Sequence, residues 1–318
     1  MTDQYSDKYL VVVAGPTAIG KTEVAIQLAR FLKTEIVSAD ARQIFKGMAI
    51  GTAKPSGAEL GRTRHHMISK LELDQSYSVS DYEKDALLCI TKVHQKQHVC
   101  ILSGGSGLYM QAVLEGFDSI PTVPEELRDQ IHRLWKDNGI KWLQNAVAEA
   151  DPDYFRVVDA QNPRRLIRAL SVIQQTGQRY SSFLHGSKKD RDFHIIPILL
   201  SMERSQLYER IDKRVDRMVD RGLKEEARSL LIYRHQQALA TVGYQEYFQY
   251  FDGDIPEEEA LRLIKRNSRR YAKRQLTWFR KFESWKRFEA NQIHQMLEYI
   301  RSEMDITRKP RPSQVAGQ

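Results

Sequence analysis

Cysteine is nearly missing from this chain: Cys89 and Cys100 are the only two in 318 residues, and they form no C-x-x-C pair. A disulfide framework and a cysteine zinc site are therefore unsupported. No histidine cluster has metal-ligand spacing. His65 and His66 are adjacent, and adjacent rings point apart on a helix or a strand. No apolar run approaches the roughly 20 residues that span a bilayer. The first eight residues lack the basic and apolar regions of a secretion signal. These absences lead us to expect a soluble cytoplasmic protein with no membrane contact. Repeats and low-complexity tracts are missing too, and only the tail 308–318, poor in apolar residues, is expected to fray.

Acids are almost absent from one stretch. Residues 265–287 hold ten Lys/Arg against Glu283 alone, a local +9 in a chain whose total is +8, so the remainder sums to −1. Such concentration is the footprint of a polyanion binder or, alternatively, a solvated helix face. A hydrophobic content of 41% with 9% aromatics suffices for a core, and the length admits one large domain or two ordinary ones.

The most informative segment runs through Gly15, Pro16, Thr17, Ala18, Ile19, Gly20, Lys21 and Thr22. It reads G-x-x-x-x-G-K-[ST] between an apolar run ending at Ala14 and a helical pattern starting at Glu23. Glycines at both ends let backbone N–H groups turn inward on a phosphate, and the helix N-terminus adds partial positive charge there. Lys21 can reach an outer phosphate, and Thr22 can ligate Mg²⁺. A di- or triphosphate site follows.

Strand-like runs at 10–14, 35–38 and 99–102 alternate with helical patterns such as 79–94. The alternation predicts an α/β fold, a P-loop NTPase-like doubly wound parallel sheet. The run 193–200 reads as another strand, and Pro197 makes it an edge strand or an interrupted one. Between these strands, 120–189 is helical only. Asn138 and Gly139 break one helix, while Asn162 and Pro163 open another that Gly177 closes. An all-helical insertion domain over 120–189, within a core of 1–119 and 190–318, is the expected organisation.

Asp40 follows the second strand, at the sheet end where ligands bind in doubly wound folds. It can act as a base, hold Mg²⁺ indirectly, or cap its own turn. After the strand 99–102 come Gly104, Gly105, Ser106 and Gly107, where Ser106 offers a hydroxyl. No Asp or Glu follows that strand, so the metal carboxylate usual in nucleotide hydrolases is missing, and no N-K-x-D motif reads guanine. Arg210, Arg214, Arg217 and Arg221 line one helix face beside an apolar face of Leu207, Ile211, Val215 and Met218. That stripe suits a lid over a diphosphate, or a salt-bridged surface helix given the interleaved Glu209, Asp212, Asp216 and Asp220. In the basic block aromatics interleave with cations, as base stacking with backbone neutralisation requires. Ala272, Leu276 and Phe279 nonetheless have core spacing.

Taken in order, residues 15–22, 38–43, 46–55, 77–79, 104–109, 162–165, 242–244 and 273–278 resemble the tRNA dimethylallyltransferases, a family of isopentenyltransferases. The resemblance covers nearly the whole chain. It implies transfer of a dimethylallyl group from dimethylallyl diphosphate to the N6 amine of an adenosine beside the anticodon, with Mg²⁺ as cofactor and the enzyme acting as a monomer. The phosphate loop would then hold a leaving diphosphate, with no hydrolytic carboxylate needed. By resemblance Asp40 accepts from the amine, while Thr17, Lys21, Ser106 and Arg214 attend the diphosphate and Thr22 the metal. The tRNA anticodon stem-loop would meet Asp40, Ala41, Arg42, Gln43 and Ser106 at the crevice. In the insertion it would meet Arg128, Pro163, Arg164, Arg165, Leu166 and Ile167. Beyond that lie Gly243, Tyr244, Lys273, Arg274, Gln275, Trp278 and Arg280.

Three positions depart from the family's habit: Ala41 stands for a common Ser, Phe45 for Tyr and Ser106 for Thr. Ala41 puts in doubt any side-chain contact at that position. Rival readings are an adenylate isopentenyltransferase acting on free nucleotides, a small-molecule P-loop kinase, and a non-catalytic RNA binder with a nucleotide switch. The helical insertion and the basic segment 273–278 favour tRNA over a free nucleotide, the kinase leaves the basic block idle, and the last reading gives Asp40 no task.

Overall fold

The computed structural model describes residues 7–186 and 188–308; the tail 309–318 and the first six residues lie outside it. Glu115–Lys189 forms one compact unit and the other described residues a second. The larger unit opens with β1 (Tyr9–Ala14), α1 (Lys21–Leu32), β2 (Ile36–Ala39), α2 (Gly57–Arg62), β3 (His65–His66), α3 (Val79–His94), β4 (Val99–Gly104) and α4 (Gly107–Leu114). The helical unit carries α5 (Glu125–Ala150), α6 (Pro152–Val157) and α7 (Pro163–Thr176). The larger unit resumes with β5 (His194–Leu200), α8 (Arg204–Asp220), α9 (Leu223–Ser229), α10 (Tyr244–Phe251), α11 (Glu257–Phe279), β6 (Lys286–Phe288) and α12 (Ile293–Arg308).

All strand pairs are parallel, in the order β3-β2-β4-β1-β5-β6. Parallel sheets are covered on both faces, so their strands read as continuous apolar runs. β1 shows why: Leu10, Val12 and Ala14 enter one core, and Tyr9, Val11 and Val13 the other. Each such Val or Leu, fully withdrawn from water, contributes about 1.5–3 kcal/mol of burial. One core is roofed by α3 and α4 with parts of α8 to α11, the other by α1 and α12 with further parts of α8 and α11.

The run around Pro197 is a strand, but β5 is not at the sheet edge, because β6 lies beyond it. β6 pairs only with Ile198–Leu200, so among the described residues no strand lies outside Pro197 and its missing N–H leaves no gap in the ladder. β3 and β6, two and three residues long, went unread in the sequence.

In the helical unit Gly139 breaks α5 with φ 76° and ψ −178°, as the Asn-Gly pair suggested. Asn162 caps α7, its Oδ1 accepting from Arg165 N at 3.4 Å, with Pro163 in the first turn and Gly177 at the C-cap. The core of this unit gathers Ile131, Leu143, Val147, Tyr154, Leu166, Ile167, Leu170 and Val172.

Candidate active site

The C-terminal ends of β1, β2 and β4 open on one side of the sheet, as neighbouring parallel strands must. There a cavity of about 620 Å³ is lined by Thr17, Gly20, Lys21, Thr22, Asp40, Gln43, Gly105 and Arg214, among others. Gly20 makes the loop possible: it caps α1 at φ 106°, where a side chain would strain the backbone. The Lys21 ammonium folds over its own loop and donates to Pro16 O at 2.7 Å.

Asp40 does two jobs at once. Its Oδ1 accepts from Arg42 N at 2.9 Å and Gln43 N at 3.3 Å, closing the turn after β2. Its Oδ2 accepts no hydrogen bond among the described residues, and Asp40 lines the cavity. Ser106 ties the neighbouring loop down: its Oγ accepts from Ala41 N at 2.9 Å, and its own N–H donates to Ala39 O at 3.1 Å. The contact at position 41 is thus made by backbone, so the alanine there costs it nothing. Phe45 is buried in the core, a place that needs no hydroxyl.

The whole arginine stripe of α8 and its C-cap faces the cavity: Arg210, Arg214, Arg217 and Arg221 all line it. Leu207, Ile211, Val215 and Met218 are buried, as helical spacing required, and the last three also reach the cavity wall. Arg214 Nη2 donates to Thr52 O at 3.4 Å. Gln43 Nε2 donates to Thr52 O and Ala53 O at 3.2 Å each. The site is rich in dehydrated cations. Burial pulls Lys21 down to about 7, with Asp40 opposing and Arg214 reinforcing the shift. Burial likewise lowers Lys54 to about 8, against the pull of Glu226 and Asp40. Arg214 is also shifted below its ordinary value by burial. An arriving polyanion would restore full charge to such groups.

Several residues expected at the tRNA surface are held by contacts within the protein, although Arg42, Arg274 and Gln275 still line the cavity. Gln275, on α11, is buried: its Oε1 accepts from Thr17 N at 2.8 Å and its Nε2 donates to Gly105 O at 2.9 Å. It braces the phosphate loop against the loop after β4. Tyr244 is fully buried, with its hydroxyl on Glu226. Trp278 packs against the core, its Nε1 enclosed without a hydrogen-bond partner among the described residues. Leu166 and Ile167 lie in the core of the helical unit, which leaves exposed Arg164 and Arg165 as the side chains of that stretch able to touch a ligand. Arg42 is committed to Gln237 O at 2.9 Å and Ala240 O at 3.3 Å. Gly243 lines the cavity, and Lys273, Arg274 and Arg280 are exposed along α11 and its C-cap. Arg128 is exposed near the start of α5, beside Glu125 at 3.1 Å. Pro163 opens α7.

Sequence reasoning missed Lys54, Thr52 and Glu226. The first two lie in the 46–55 segment, whose match gave family membership but no roles. Glu226 has no local motif, since the backbone it holds lies 175 residues or more away.

Residues 43–282 match the family of IPP transferases. The chain is 46% identical to the tRNA dimethylallyltransferase of Christiangramia forsetii, over 93% of this chain and 99% of that protein. It is 42% identical to the one from Cytophaga hutchinsonii, over 94% and 99%. Among solved structures, the full-length tRNA isopentenylpyrophosphate transferase of Bacillus halodurans is similar at a TM-score of 0.70 and 36% identity, covering 94% of this chain and 98% of that one. A eukaryotic dimethylallyltransferase acting on tRNA shares the fold at a TM-score of 0.79 and 22% identity, over 95% and 80%.

Proposed function

This chain belongs to the IPP transferase family, whose relatives are tRNA dimethylallyltransferases, and we propose on that premise that it prenylates tRNA. The donor is dimethylallyl diphosphate and the acceptor the N6 amine of an adenosine beside the anticodon. Support comes from one cavity that combines a phosphate loop, a carboxylate with a free oxygen and Arg214, with no acid at the end of β4 to serve hydrolysis.

The target base leaves its stack to enter the cavity, which is easier from a single-stranded loop than from a duplex. Its amine nitrogen attacks the allylic carbon, the bond from that carbon to the diphosphate oxygen breaks, and Asp40 takes the amine proton. Lys21, Arg214, the Thr17 hydroxyl and the loop N–H groups other than that of Thr17, which Gln275 holds, meet the negative charge that grows on the departing diphosphate. Donors preset where charge develops are worth most in a site that excludes water. Mg²⁺ suits the donors present, because it keeps several waters and takes one or two protein oxygens together with phosphate. The Thr22 hydroxyl would supply one, with Asp40 reaching the ion only through its waters, and among the described residues no cluster of three or more His, Cys, Asp or Glu offers a full cage. When bound, the ion supplies further charge neutralisation of the diphosphate.

Arg128, Pro163, Arg164 and Arg165 in the helical unit, with Gly243, Lys273, Arg274 and Arg280 in the larger one, would meet the anticodon stem-loop. The enzyme acts as a cytoplasmic monomer. Protein, Mg²⁺ and radiolabelled dimethylallyl diphosphate are mixed with unmodified tRNA, AMP or ATP. Label in tRNA alone is expected; label in a free nucleotide, or transfer of a gamma-phosphate, would overturn the assignment. Asp40→Ala should cost at least about a hundredfold in transfer and leave tRNA affinity nearly unchanged.

A further inference from the structure

Glu226 projects from α9 onto the loop 49–54, which forms one wall of the cavity. Its Oε2 accepts from Ala49 N at 2.9 Å and Ile50 N at 2.8 Å, and its Oε1 from Gly51 N at 2.9 Å. The Tyr244 hydroxyl donates to Oε1 at 2.7 Å. Successive N–H groups turned to one side make an anion-binding nest, and here a carboxylate of the chain itself fills it. Hydrogen bonds to an ionised acceptor are about twice as strong as neutral ones. Gly51 closes the grip further, since a Cβ there would lie 2.6 Å from the Tyr244 ring. Downstream, Ala53 is held at φ 45°, a conformation that persists in a non-glycine residue only when its surroundings enforce it.

The opposite side of the loop faces the chemistry. The Thr52 carbonyl receives Arg214, and the carbonyls of Thr52 and Ala53 together receive Gln43. Both side chains line the cavity. We propose that Glu226 is a positioning residue for prenyl transfer: it fixes loop 49–54, whose carbonyls in turn aim Arg214 at the diphosphate and Gln43 at the purine. The inference rests on the reading of the cavity given under Proposed function. It also gives the loop's strain a purpose, because misplacing a catalytic group by about 1 Å costs on the order of a hundredfold in rate.

Glu226→Ala empties the nest and leaves its N–H groups open to a small carboxylate. The full-length variant is assayed with radiolabelled dimethylallyl diphosphate and unmodified tRNA, with and without formate, and its tRNA affinity is measured by filter binding. We expect kcat/KM for the diphosphate to fall roughly tenfold to a hundredfold, with tRNA affinity nearly unchanged. Formate should recover much of the loss in Glu226→Ala and none in Glu226→Gln, whose amide fills the space and turns N–H against N–H. A merely structural role would not respond to formate. Activity of Glu226→Ala close to wild type, or a loss that formate leaves untouched, overturns the proposal. Should Glu226→Ala not fold, Tyr244→Phe decides, because it keeps the ring on Gly51 and removes one donor from the carboxylate. A KM for the diphosphate raised roughly threefold supports the proposal, and an unchanged KM overturns it. Wild-type protein that transfers no label sinks the reading of the cavity as well; an indifferent Glu226→Ala beside an active wild type sinks this inference alone.

Discussion

Helices α8 and α11 pack side by side and carry similar residues to opposite ends. α8 has five bases and four acids, which on paper is a self-neutralising surface helix. α11 opens the stretch with the largest positive excess in the chain. Yet two of the α8 acids turn away from their own helix. Asp212 pairs with Arg269 at 2.7 Å, and Asp216 with Lys265 at 2.5 Å, both on α11. Arg210, Arg214, Arg217 and Arg221 consequently make no ion pair among the described residues and face the cavity. The near-neutral helix thus delivers more unpaired charge to the site than its count suggests, and the basic helix less. Net charge by segment reports on long-range attraction, whereas catalysis depends on which arginines are left without a carboxylate.

The comparison breaks most sharply at Arg214. On the proposed division α8 serves the leaving diphosphate and α11 the tRNA, so Arg214→Gln should slow transfer by about a hundredfold or more with tRNA affinity nearly intact. Steady-state transfer beside filter binding separates the two quantities. A variant that loses tRNA binding as strongly as turnover would erase the division.

The complementary change falls on α11. Replacing Lys273 and Arg280 together by Gln should weaken tRNA binding, with kcat at saturating tRNA little altered, because neither lines the cavity. Each lost phosphate contact flattens the salt slope by roughly 0.7 to 0.9, so log Kd against log salt is the measurement to make. An unchanged slope would make these charges a solvated helix face.

Much of this was legible before the fold. The phosphate loop declares itself because its function resides in local backbone geometry and one helix start. The arginine stripe follows from helical spacing alone, and the central strands from unbroken apolar runs. What escaped was settled at long range. Nothing local distinguishes Asp212, which serves α11, from Glu209, which pairs with Lys213 on its own helix at 2.5 Å. Gln275 and Tyr244 stand among motif residues that suggest RNA contact, but tertiary packing turns both inward. β3 and β6 are strands only because a longer neighbour lies alongside. Glu226 was invisible for the same reason: its nest is built from a distant loop.

Protons sharpen the contrast on a smaller scale. Burial holds Lys21 near 7, so above that pH the empty site contains a neutral amine. A bound diphosphate favours the ammonium, and binding therefore takes up a proton where the free site lacks one. Affinity for dimethylallyl diphosphate should be flat below pH 7 from this group and fall above it, by at most about tenfold per pH unit. Calorimetry in buffers of different ionisation enthalpy measures the uptake, and Lys21→Met should abolish the part that sets in near pH 7, leaving the part that Lys54 adds near pH 8. tRNA binding through exposed α11 arginines has no such dependence. Proton release on diphosphate binding would contradict the assigned state of Lys21.

The smallest effect tests the pairing itself. Asp212→Asn with Asp216→Asn returns Arg269 and Lys265 to α11 as free cations while keeping the shape of both side chains. Partly exposed ion pairs contribute only about 0.2–1 kcal/mol each, so the unfolding midpoint should move little. tRNA binding should tighten at low salt, and the salt slope steepen by at most about 0.7 to 0.9 per freed cation that reaches a phosphate. Transfer at saturating substrates should hold, because neither acid lines the cavity. A large fall in kcat would mean that the pairs do more than neutralise α11. They would then be setting the pitch of α8 and the aim of its arginines, and the two helices would act as one catalytic unit.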